Sequence, residues 1–468
     1  MKNMNFKEAA EYIENIPMFG PRVDGRNKSG NPNLEDVLKR LGHPERKGKA
    51  IHIAGTNGKG STAQMVANIL CAKGYKVGLF TSPHLIKINE RISIQQFDLS
   101  QADETDGDTD NRVRKINISD EDFAECCMIV KEKVDEAVRD GKLHLSYFEF
   151  LFAMAAVYYE KTRPDYIVYE TGLGGRLDAT NVLSPVITAI TAIGLEHTKY
   201  LGDTIRDIAW EKAGIVKEGI PVVYHTGEPE ADLVIEAQAE LLHAKAINVA
   251  KTEYIINEFT DKTIDFSVYN RYYKYNNLIL PAGGAAYQVD NALTAIEICN
   301  TLVGYEHAID QETLQYALHL FAWPGRMERI RPNVVLDGAH NPNAICRFIE
   351  SVNRGYGDKE IKLLFAVAGD KDYEPMIARI CADLPVTEVY VTALDSMRGI
   401  SSEYIAGLFR MYLAKQSENR KVPVYYDDDI RSAFLRGIQS VKGTQGVLFC
   451  VGSLYLIGSL KELVAEEL

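Results

Sequence analysis

A short stretch near residue 55 has the residue types and spacing of a phosphate-binding loop. It runs Gly55-Thr56-Asn57-Gly58-Lys59-Gly60-Ser61-Thr62. Three glycines allow a tight turn that aims successive backbone N–H groups at an anion, and Lys59 adds a mobile positive charge. The spacing departs from the common G-x-x-x-x-G-K-[ST] pattern, because Ile53 replaces its first glycine and Gly60 follows the lysine. The alternative is a plain strand-to-helix turn with a solvated lysine.

The segments on either side of this loop favour the phosphate cradle. The loop follows a mostly apolar run over residues 51–54, which predicts a strand. After the loop, one helical face carries Met65, Val66, Ile69 and Leu70, and Gly74 is placed to end the helix. A helix that begins at a glycine loop adds its N-terminal dipole to the attraction for phosphate.

Three polar side chains follow three further predicted strands. Ser82 comes after residues 76–80, Glu170 ends the strand at 165–170, and His197 follows the strand at 186–193. In open α/β sheets the carboxyl ends of strands line the ligand crevice. A carboxylate there can hold Mg²⁺ directly or through water, and a neutral imidazole can bind a metal. The alternatives are a turn residue before Pro83, a surface glutamate and a packed or surface histidine.

Three other features indicate ligand contacts. Residues 171–181 form a glycine-rich polar loop that can bring backbone close to a ligand, although they lack the G-x-G-x-x-G spacing of a dinucleotide site. Lys212 lies at a predicted helix end, where a lysine is solvated by default. Asn291 lies near a helix start, where it caps the helix or touches a base or ribose.

Composition limits the classes of function. The chain has 468 residues, 46% hydrophobic and 25% charged, which suits two or three globular domains. A net charge of −13 argues against a nucleic-acid surface, but it does not exclude anionic small ligands that are bound by a few local cations. The candidate cations are Lys59, Arg91, Arg176 and Arg326.

The expected location is the cytoplasm. Residues 1–20 lack a secretory signal, and the apolar stretch 145–159 is too short for a bilayer and contains Glu149. We therefore expect no membrane partner. The seven cysteines are odd in number and scattered, which is typical of a reducing compartment.

The pattern predicts two domains, over residues 1–322 and 323–468, because the break Trp323-Pro324-Gly325-Arg326 precedes a new alternation of strands and helices. That alternation implies a second parallel sheet, with Asp337-Gly338-Ala339-His340 at its first strand tip. Residues 252–280 predict antiparallel strands. Residues 95–115 are polar and acidic, and we expect a mobile insertion there.

Taken in order, the motifs resemble those of the folylpolyglutamate synthase and dihydrofolate synthase family, within the Mur ligase superfamily. The resemblance covers nearly the whole chain. Its motifs are GTNGKGS at 55–61, TSPHL at 81–85, SYFE at 146–149, ETGLGGRLDATN at 170–181, GLEHTKYLGDT at 194–204, EKAGI at 211–215, PGR at 324–326 and DGAHNP at 337–342. One departure is Glu196, which stands where an aspartate is more usual.

The resemblance implies an α/β fold, with an N-terminal P-loop ATPase-type domain on a mostly parallel sheet and a C-terminal Rossmann-like domain. It implies catalytic roles for Lys59, His197 and Lys212, the last carrying a carbamate. The implied ATP contacts are Asn57, Gly58, Lys59, Gly60, Ser61, Asn291, Arg326, Asp337 and His340. The implied magnesium ligands are Ser82, Glu170 and His197. The implied folate-cleft residues are Tyr147, Phe148, Leu177, Asp178 and Ala179.

The implied activity is ATP-dependent addition of L-glutamate to reduced folates through an acyl phosphate, with Mg²⁺. The sequence leaves open whether dihydropteroate is also an acceptor. The alternatives are another Mur-type amino-acid ligase, of the cell-wall or cyanophycin type, and a nucleotide-dependent switch without ligation chemistry. We expect a monomer that binds these small molecules and no nucleic acid.

Overall fold

The computed structural model describes residues 4–18, 31–97, 113–281, 283–394, 399–416 and 421–466. The chain divides into two compact units. The first comprises Met1–Tyr254, Val268–Asn276 and Asp290–Leu320, and the second comprises Ile255–Ser267, Asn277–Val289 and Phe321–Leu468. The domain border between residues 322 and 323 stays a prediction.

The strands of the described residues have the following bounds: β1 (Lys49–Ala54), β2 (Val77–Phe80), β3 (Ile92–Phe97), β4 (Val113–Asn117), β5 (Tyr166–Glu170), β6 (Pro185–Ile190), β7 (Val222–Tyr224), β8 (Ala246–Asn248), β9 (Glu253–Phe259), β10 (Ile264–Tyr269), β11 (Lys274–Leu280), β12 (Glu328–Arg331), β13 (Val334–Leu336), β14 (Ile361–Phe365), β15 (Val386–Thr392), β16 (Val424–Asp427) and β17 (Val447–Val451).

The α-helices of the same residues have these bounds: α1 (Phe6–Glu14), α2 (Pro32–Arg40), α3 (Lys59–Ala72), α4 (Asp120–Arg139), α5 (Tyr147–Thr162), α6 (Thr198–Leu201), α7 (Ile205–Ala213), α8 (Pro229–Leu241), α9 (Tyr287–Val303), α10 (Gln311–His319), α11 (Pro342–Gly355), α12 (Tyr373–Asp383), α13 (Ser402–Gln416), α14 (Ile430–Val441) and α15 (Leu454–Glu466).

The sheet of the first unit places the predicted phosphate loop near its centre. Its described strands run in the order β4-β3-β2-β5-β1-β6-β7-β8, with β1 parallel to both β5 and β6. Only β3 and β4 in this order pair antiparallel, β3 with β2 and β4 with β3. The expected mostly parallel sheet is confirmed. Because β1 and β5 pair up to Ile53 and Glu170, the carboxylate at the tip of β5 lies beside the start of the loop.

The two ends of the predicted acidic insertion belong to strands. Residues 98–112 lie outside the described residues, but both ends of the predicted stretch 95–115 belong to the β3–β4 pair. The prediction of a mobile segment over 95–97 and 113–115 is therefore wrong. Backbone pairing across the two strands, from Phe97 with Val113 to Ser93 with Asn117, orders residues whose own side chains are mostly polar.

Helices cover this sheet where the sequence carries apolar side chains. On one side α1, α4 and α5 share a core with Phe80 and Tyr169 of the sheet. The helix α5 begins with a capping box, in which the Ser146 N–H donates to Glu149 Oε2 at 2.7 Å. The motif SYFE thus starts a buried helix. Elsewhere in the first unit, Ile208 of α7 and Ile235 of α8 pack with Val222 of β7.

The second unit contains the other α/β sheet. Its strands run β12-β13-β17-β14-β15-β16, parallel except for the β12–β13 pair. This arrangement confirms the C-terminal α/β expectation. The remaining sheet has the order β11-β10-β9, as residues 252–280 predict. Within the described ranges, no helix is long and apolar enough to cross a bilayer.

Candidate active site

Two glycines of the loop after β1 lie where no side chain fits. A Cβ atom on Gly55 would be 1.9 Å from Thr191 Oγ1. Gly58 has φ +87°, and a Cβ there would be 2.3 Å from Asn291 Oδ1. Left-handed backbone and a neighbour at this distance both require glycine. Asn291 is buried, at 6% exposure, so its amide packs against the loop.

The loop ends at the N-terminus of the 14-residue helix α3. Gly58 is the N-cap and supplies no side-chain hydrogen bond, while the Thr62 N–H donates to Gly58 O at 2.9 Å. A helix start that is not capped by a side chain presents its N–H groups and its dipole to an anion. The predicted phosphate contacts Lys59, Gly60 and Ser61 are the first three residues of this helix.

Hydrogen bonds to the two residues that follow β6 hold the loop in place. The N–H groups of Thr56 and Asn57 donate to Ala192 O at 2.8 and 3.2 Å. The Thr191 hydroxyl lies 2.7 Å from Asn57 O. Thr191 was not predicted to take part, because an isolated threonine just after a strand carries no sequence signal of this contact.

Two lysine side chains converge on the same carbonyl of the loop. Lys59 Nζ donates to Gly55 O at 3.0 Å, and Lys212 Nζ donates to it at 2.7 Å. Lys212 is 3% exposed, so the default expectation of a solvated lysine is wrong. Burial, with a contribution from the charge of Lys59, lowers the pKa of Lys212 to about 7. Near neutral pH its amine is therefore partly neutral and nucleophilic.

Two of the three predicted metal ligands lie together at the strand tips. The Ser82 N–H donates to Glu170 Oε2 at 2.9 Å, and Lys59 Nζ is 3.9 Å from Glu170 Oε1. The carboxylate of Glu170 and the hydroxyl of Ser82 are hard oxygen donors, and Mg²⁺ in proteins commonly uses one or two carboxylates together with phosphate and water oxygens. The residues present therefore fit a magnesium ion bound with a nucleotide.

The third predicted ligand, His197, follows β6 and precedes the short helix α6. It has φ +51°, its side chain is 40% exposed, and its Nε2 lies 3.8 Å from Glu196 Oε1. The described residues contain no group of three or more His, Cys, Asp or Glu side chains that could hold a metal ion. The role of His197 as a ligand stays a prediction.

Asp178 organises the glycine-rich loop after β5. Its Oδ2 accepts the N–H groups of Gly172 and Leu173 at 2.9 and 2.8 Å, and its Oδ1 accepts the N–H and hydroxyl of Thr180 at 3.0 and 2.6 Å. Burial raises the pKa of Asp178, and these donors oppose the rise. The four hydrogen bonds occupy the acceptor sites of the carboxylate.

The other predicted folate-cleft residues lie around this loop. Leu177 is 46% exposed, while Ala179 is buried. The ring of Phe148 contacts the backbone at Gly172, where an added Cβ would be 2.7 Å from Phe148 Cε1. The Tyr147 ring lies under the Arg91 guanidinium, 5.5 Å from its centre. The loop and the start of α5 thus combine one exposed apolar side chain with aromatic rings.

Arg91 and Arg176, two of the candidate cations, each contact a titratable side chain. Arg91 Nε donates to His84 Nδ1 at 2.9 Å, and burial, with the charge of Arg91, lowers the pKa of His84 to about 4. Arg176 Nη2 pairs with Glu211 Oε1 at 2.7 Å. The Arg176 pair joins the glycine-rich loop to α7, the helix that carries Lys212.

The second unit brings together Arg326, Asp337 and His340. A Cβ on Gly338 would be 2.3 Å from Arg326 Nη1, and His340 Nδ1 lies 2.7 Å from Gly338 O. Asp337 Oδ2 accepts the Tyr287 hydroxyl at 3.0 Å, and burial raises the pKa of the carboxyl while Arg326 opposes the rise. Tyr287 was not predicted to take part, because a tyrosine at the first position of α9 carries no sequence signal of this contact.

Comparisons with known proteins show which family the chain resembles. A family model described as "Mur ligase, glutamate ligase domain" matches residues 325–454. A dihydrofolate synthase/folylpolyglutamate synthase of Bacillus subtilis is 33% identical over 98% of this chain and 98% of that protein. A folylpolyglutamate synthase of Lacticaseibacillus casei is 31% identical over 81% of this chain and 83% of that protein. A crystal structure of Mycobacterium tuberculosis folylpolyglutamate synthase complexed with ADP and AMPPCP is 26% identical, with a TM-score of 0.77 over 92% of this chain and 95% of that chain.

Proposed function

Because the chain belongs to the folylpolyglutamate synthase and dihydrofolate synthase family of Mur-type ligases, we propose that it is an ATP-dependent ligase that joins L-glutamate to reduced folates. The observation that carries the proposal is the cradle of the first unit. There Lys59 and Lys212 both donate to Gly55 O, and Glu170 lies 3.9 Å from Lys59. These groups suit a phosphate with its metal, and they lie at the tips of three adjacent parallel strands.

The chemistry of amide formation explains the need for ATP. A folate carboxylate is a poor acyl donor, because oxide would have to leave. Transfer of the γ-phosphoryl group of ATP to that carboxylate gives an acyl phosphate and ADP. The amine of L-glutamate then attacks the acyl carbon, and inorganic phosphate leaves from the tetrahedral intermediate. The protein therefore has to stabilise the negative charge on the phosphoryl group during its transfer.

The residues of the cradle are suited to this task. The N–H groups at the start of α3 and the ammonium of Lys59 lie where they can bind the phosphate oxygens. Glu170 and Ser82 would hold Mg²⁺, with His197 as a further ligand, and the bound ion supplies positive charge to the phosphates. In this proposal Asn57, Asn291, Arg326, Asp337 and His340 contact the nucleotide.

Lys212 has the environment that carbamate formation needs. Only a neutral amine adds CO₂, and burial lowers the pKa of this amine to about 7. The carbamate nitrogen keeps one hydrogen, so the hydrogen bond to Gly55 O can persist. The change also replaces repulsion between two cations, Lys59 and Lys212, by attraction between a cation and an anion. We infer that Lys212 acts as a carbamate.

One assay tests the activity and its acceptor. Purified protein is supplied with ATP, Mg²⁺ and L-glutamate, and ADP formation is measured with tetrahydrofolate, with dihydropteroate or with neither. We expect ADP formation with tetrahydrofolate and a product one glutamate heavier by mass spectrometry. Turnover of dihydropteroate as well would establish the second activity, which the Bacillus subtilis relative is named for.

The same assay addresses the alternatives. A cell-wall or cyanophycin type ligase would release ADP with its own acceptors and not with tetrahydrofolate. A nucleotide-dependent switch would release no phosphate in response to glutamate plus a reduced folate. Either result overturns the proposal.

We also propose that the protein is located in the cytoplasm, since its odd and scattered cysteines indicate a reducing compartment. We further propose that it acts as a monomer. Size-exclusion chromatography with light scattering tests the monomer.

A further inference from the structure

A histidine is buried in the strand that leads into the phosphate loop. His52 lies in β1 between Ile51 and Ile53, and it is 0% exposed. Its Nε2 is 2.8 Å from the hydroxyl oxygen of Thr180. Burying a polar ring in an apolar core costs free energy unless its atoms are hydrogen-bonded. The phosphate chemistry described above makes no use of this imidazole.

The hydrogen-bond directions fix the protonation of His52. The Thr180 hydroxyl has one hydrogen and lies 2.6 Å from Asp178 Oδ1, which as a carboxylate oxygen only accepts. That hydrogen therefore points at Asp178, and the Thr180 oxygen must accept from His52. His52 then carries its proton on Nε2, and its Nδ1 is a buried nitrogen without a hydrogen-bond partner. Burial, with a contribution from Lys217, lowers the pKa of His52 to about 3, which keeps the ring neutral.

The far end of this chain of hydrogen bonds is the glycine-rich loop. Asp178 Oδ2 accepts hydrogen bonds from the N–H groups of Gly172 and Leu173, so the carboxylate joins the middle of the loop to its beginning. Rotation of the Thr180 hydroxyl away from Asp178 would remove one of its four donors. The N–H of His52 opposes this rotation, because a hydroxyl hydrogen turned toward His52 would face another donor instead of an acceptor.

We propose that His52 is a positioning residue, which acts through Thr180 and Asp178 to hold the loop at 171–181 in the shape that binds the folate acceptor. This inference rests on the proposed function for the identity of the acceptor. The strand β1 would then serve both substrates. Its end forms the nucleotide loop at Gly55, and three residues earlier it anchors the acceptor loop.

Three variants test this role. His52→Leu removes the donor, His52→Gln keeps an N–H donor at a similar reach, and Thr180→Val removes the relay. The matched control is Thr188→Val. Thr188 is also 0% exposed and pairs with His52 across β1 and β6, but its hydroxyl bonds to Pro221 O, outside the chain of hydrogen bonds.

We expect the KM for the folate acceptor to rise about tenfold or more in His52→Leu and Thr180→Val, with the KM for ATP within about twofold of wild type. His52→Gln should recover most of the loss, and Thr188→Val should behave as wild type. An equal rise in both KM values, or the same effect in Thr188→Val, would mean that only general packing is affected and would overturn the proposal.

Two measurements do not depend on activity. Nitrogen NMR of histidine-labelled protein identifies the His52 ring as the one whose signals disappear in His52→Gln, and at pH 7 these signals should be those of a neutral ring protonated at Nε2. Hydrogen exchange of peptides covering 171–181 should be faster in His52→Leu than in Thr188→Val. A proton on Nδ1, or unchanged exchange, refutes the role of His52. Should the wild-type protein turn over no folate acceptor, the proposed function fails, while these two measurements still decide whether His52 holds the loop.

Discussion

The glycine at the N-terminus of α3 offers a sharp test of the phosphate cradle, because the same helix ends at a glycine that can serve as its control. Gly58 has φ +87° and Gly74 has φ +90°. An alanine Cβ at Gly58 would be 2.3 Å from Asn291 Oδ1, whereas at Gly74 nothing lies within 4 Å. Gly58→Ala and Gly74→Ala therefore share their backbone strain and differ in what the new methyl group meets.

The expected magnitudes follow from these contacts. Holding an L-residue in left-handed backbone costs about 1–2 kcal/mol, so both variants should lose stability by this amount. At Gly58 the buried Asn291 amide or the loop must also move by about 1 Å, a displacement that costs on the order of 100-fold in rate when it misplaces reacting groups. Gly74→Ala should keep wild-type turnover, and Gly58→Ala should lose about 100-fold in kcat/KM for ATP.

The assay combines urea unfolding with a coupled measurement of ADP release over a range of ATP concentrations. Calorimetry with a non-hydrolysable ATP analogue shows whether the loss lies in binding. The reasoning is refuted if Gly58→Ala retains activity within about threefold of Gly74→Ala, a difference of only ~0.7 kcal/mol, since the loop would then tolerate a side chain against Asn291.

Four further changes test the remaining assignments. Lys59→Ala should lower kcat/KM about 100-fold or more through lost charge on the phosphates, whereas Lys73→Ala, at the other end of the helix, should not; activity within tenfold of wild type would contradict the cradle. Lys212→Ala should be inactive and partly rescued by acetate if the lysine acts as a carbamate, whereas rescue by methylamine would indicate an ammonium. Arg326→Ala should weaken nucleotide binding measured by calorimetry, and an unchanged affinity would argue against its contact with ATP. Because the pKa of His52 falls from 6.5 to about 3 on folding, between these pH values the unfolded chain binds a proton on His52 and the folded protein does not. The contribution of neutral His52 to the free energy of unfolding is therefore complete above pH 6.5 and is lost as the pH falls toward 3. His52→Gln should make the free energy of unfolding, measured by urea denaturation, less dependent on pH in this range.

The sequence by itself determined the features that depend on neighbouring residues. The glycines of residues 55–60, the apolar face of α3 and the tip residues Ser82 and Glu170 could all be recognised, because a tight turn, a helix start and a strand end are local structures. The alternation of strands and helices after residue 326 predicted the second sheet for the same reason. The ordered set of motifs added the family, which the relatives bear out.

The tertiary structure decided the contacts that join distant parts of the chain. Lys212 was expected in solvent, yet its side chain is buried and donates a hydrogen bond to the carbonyl of Gly55, 157 positions earlier in the sequence. His52 looked like one residue of an apolar strand, and only its contact with Thr180, 128 positions away, gives it a role. Asn291 could be a helix cap by sequence, and its packing against Gly58 appears only in the folded chain. Burial and partner identity set the pKa of Lys212 and the tautomer of His52, and both are properties of the packed core.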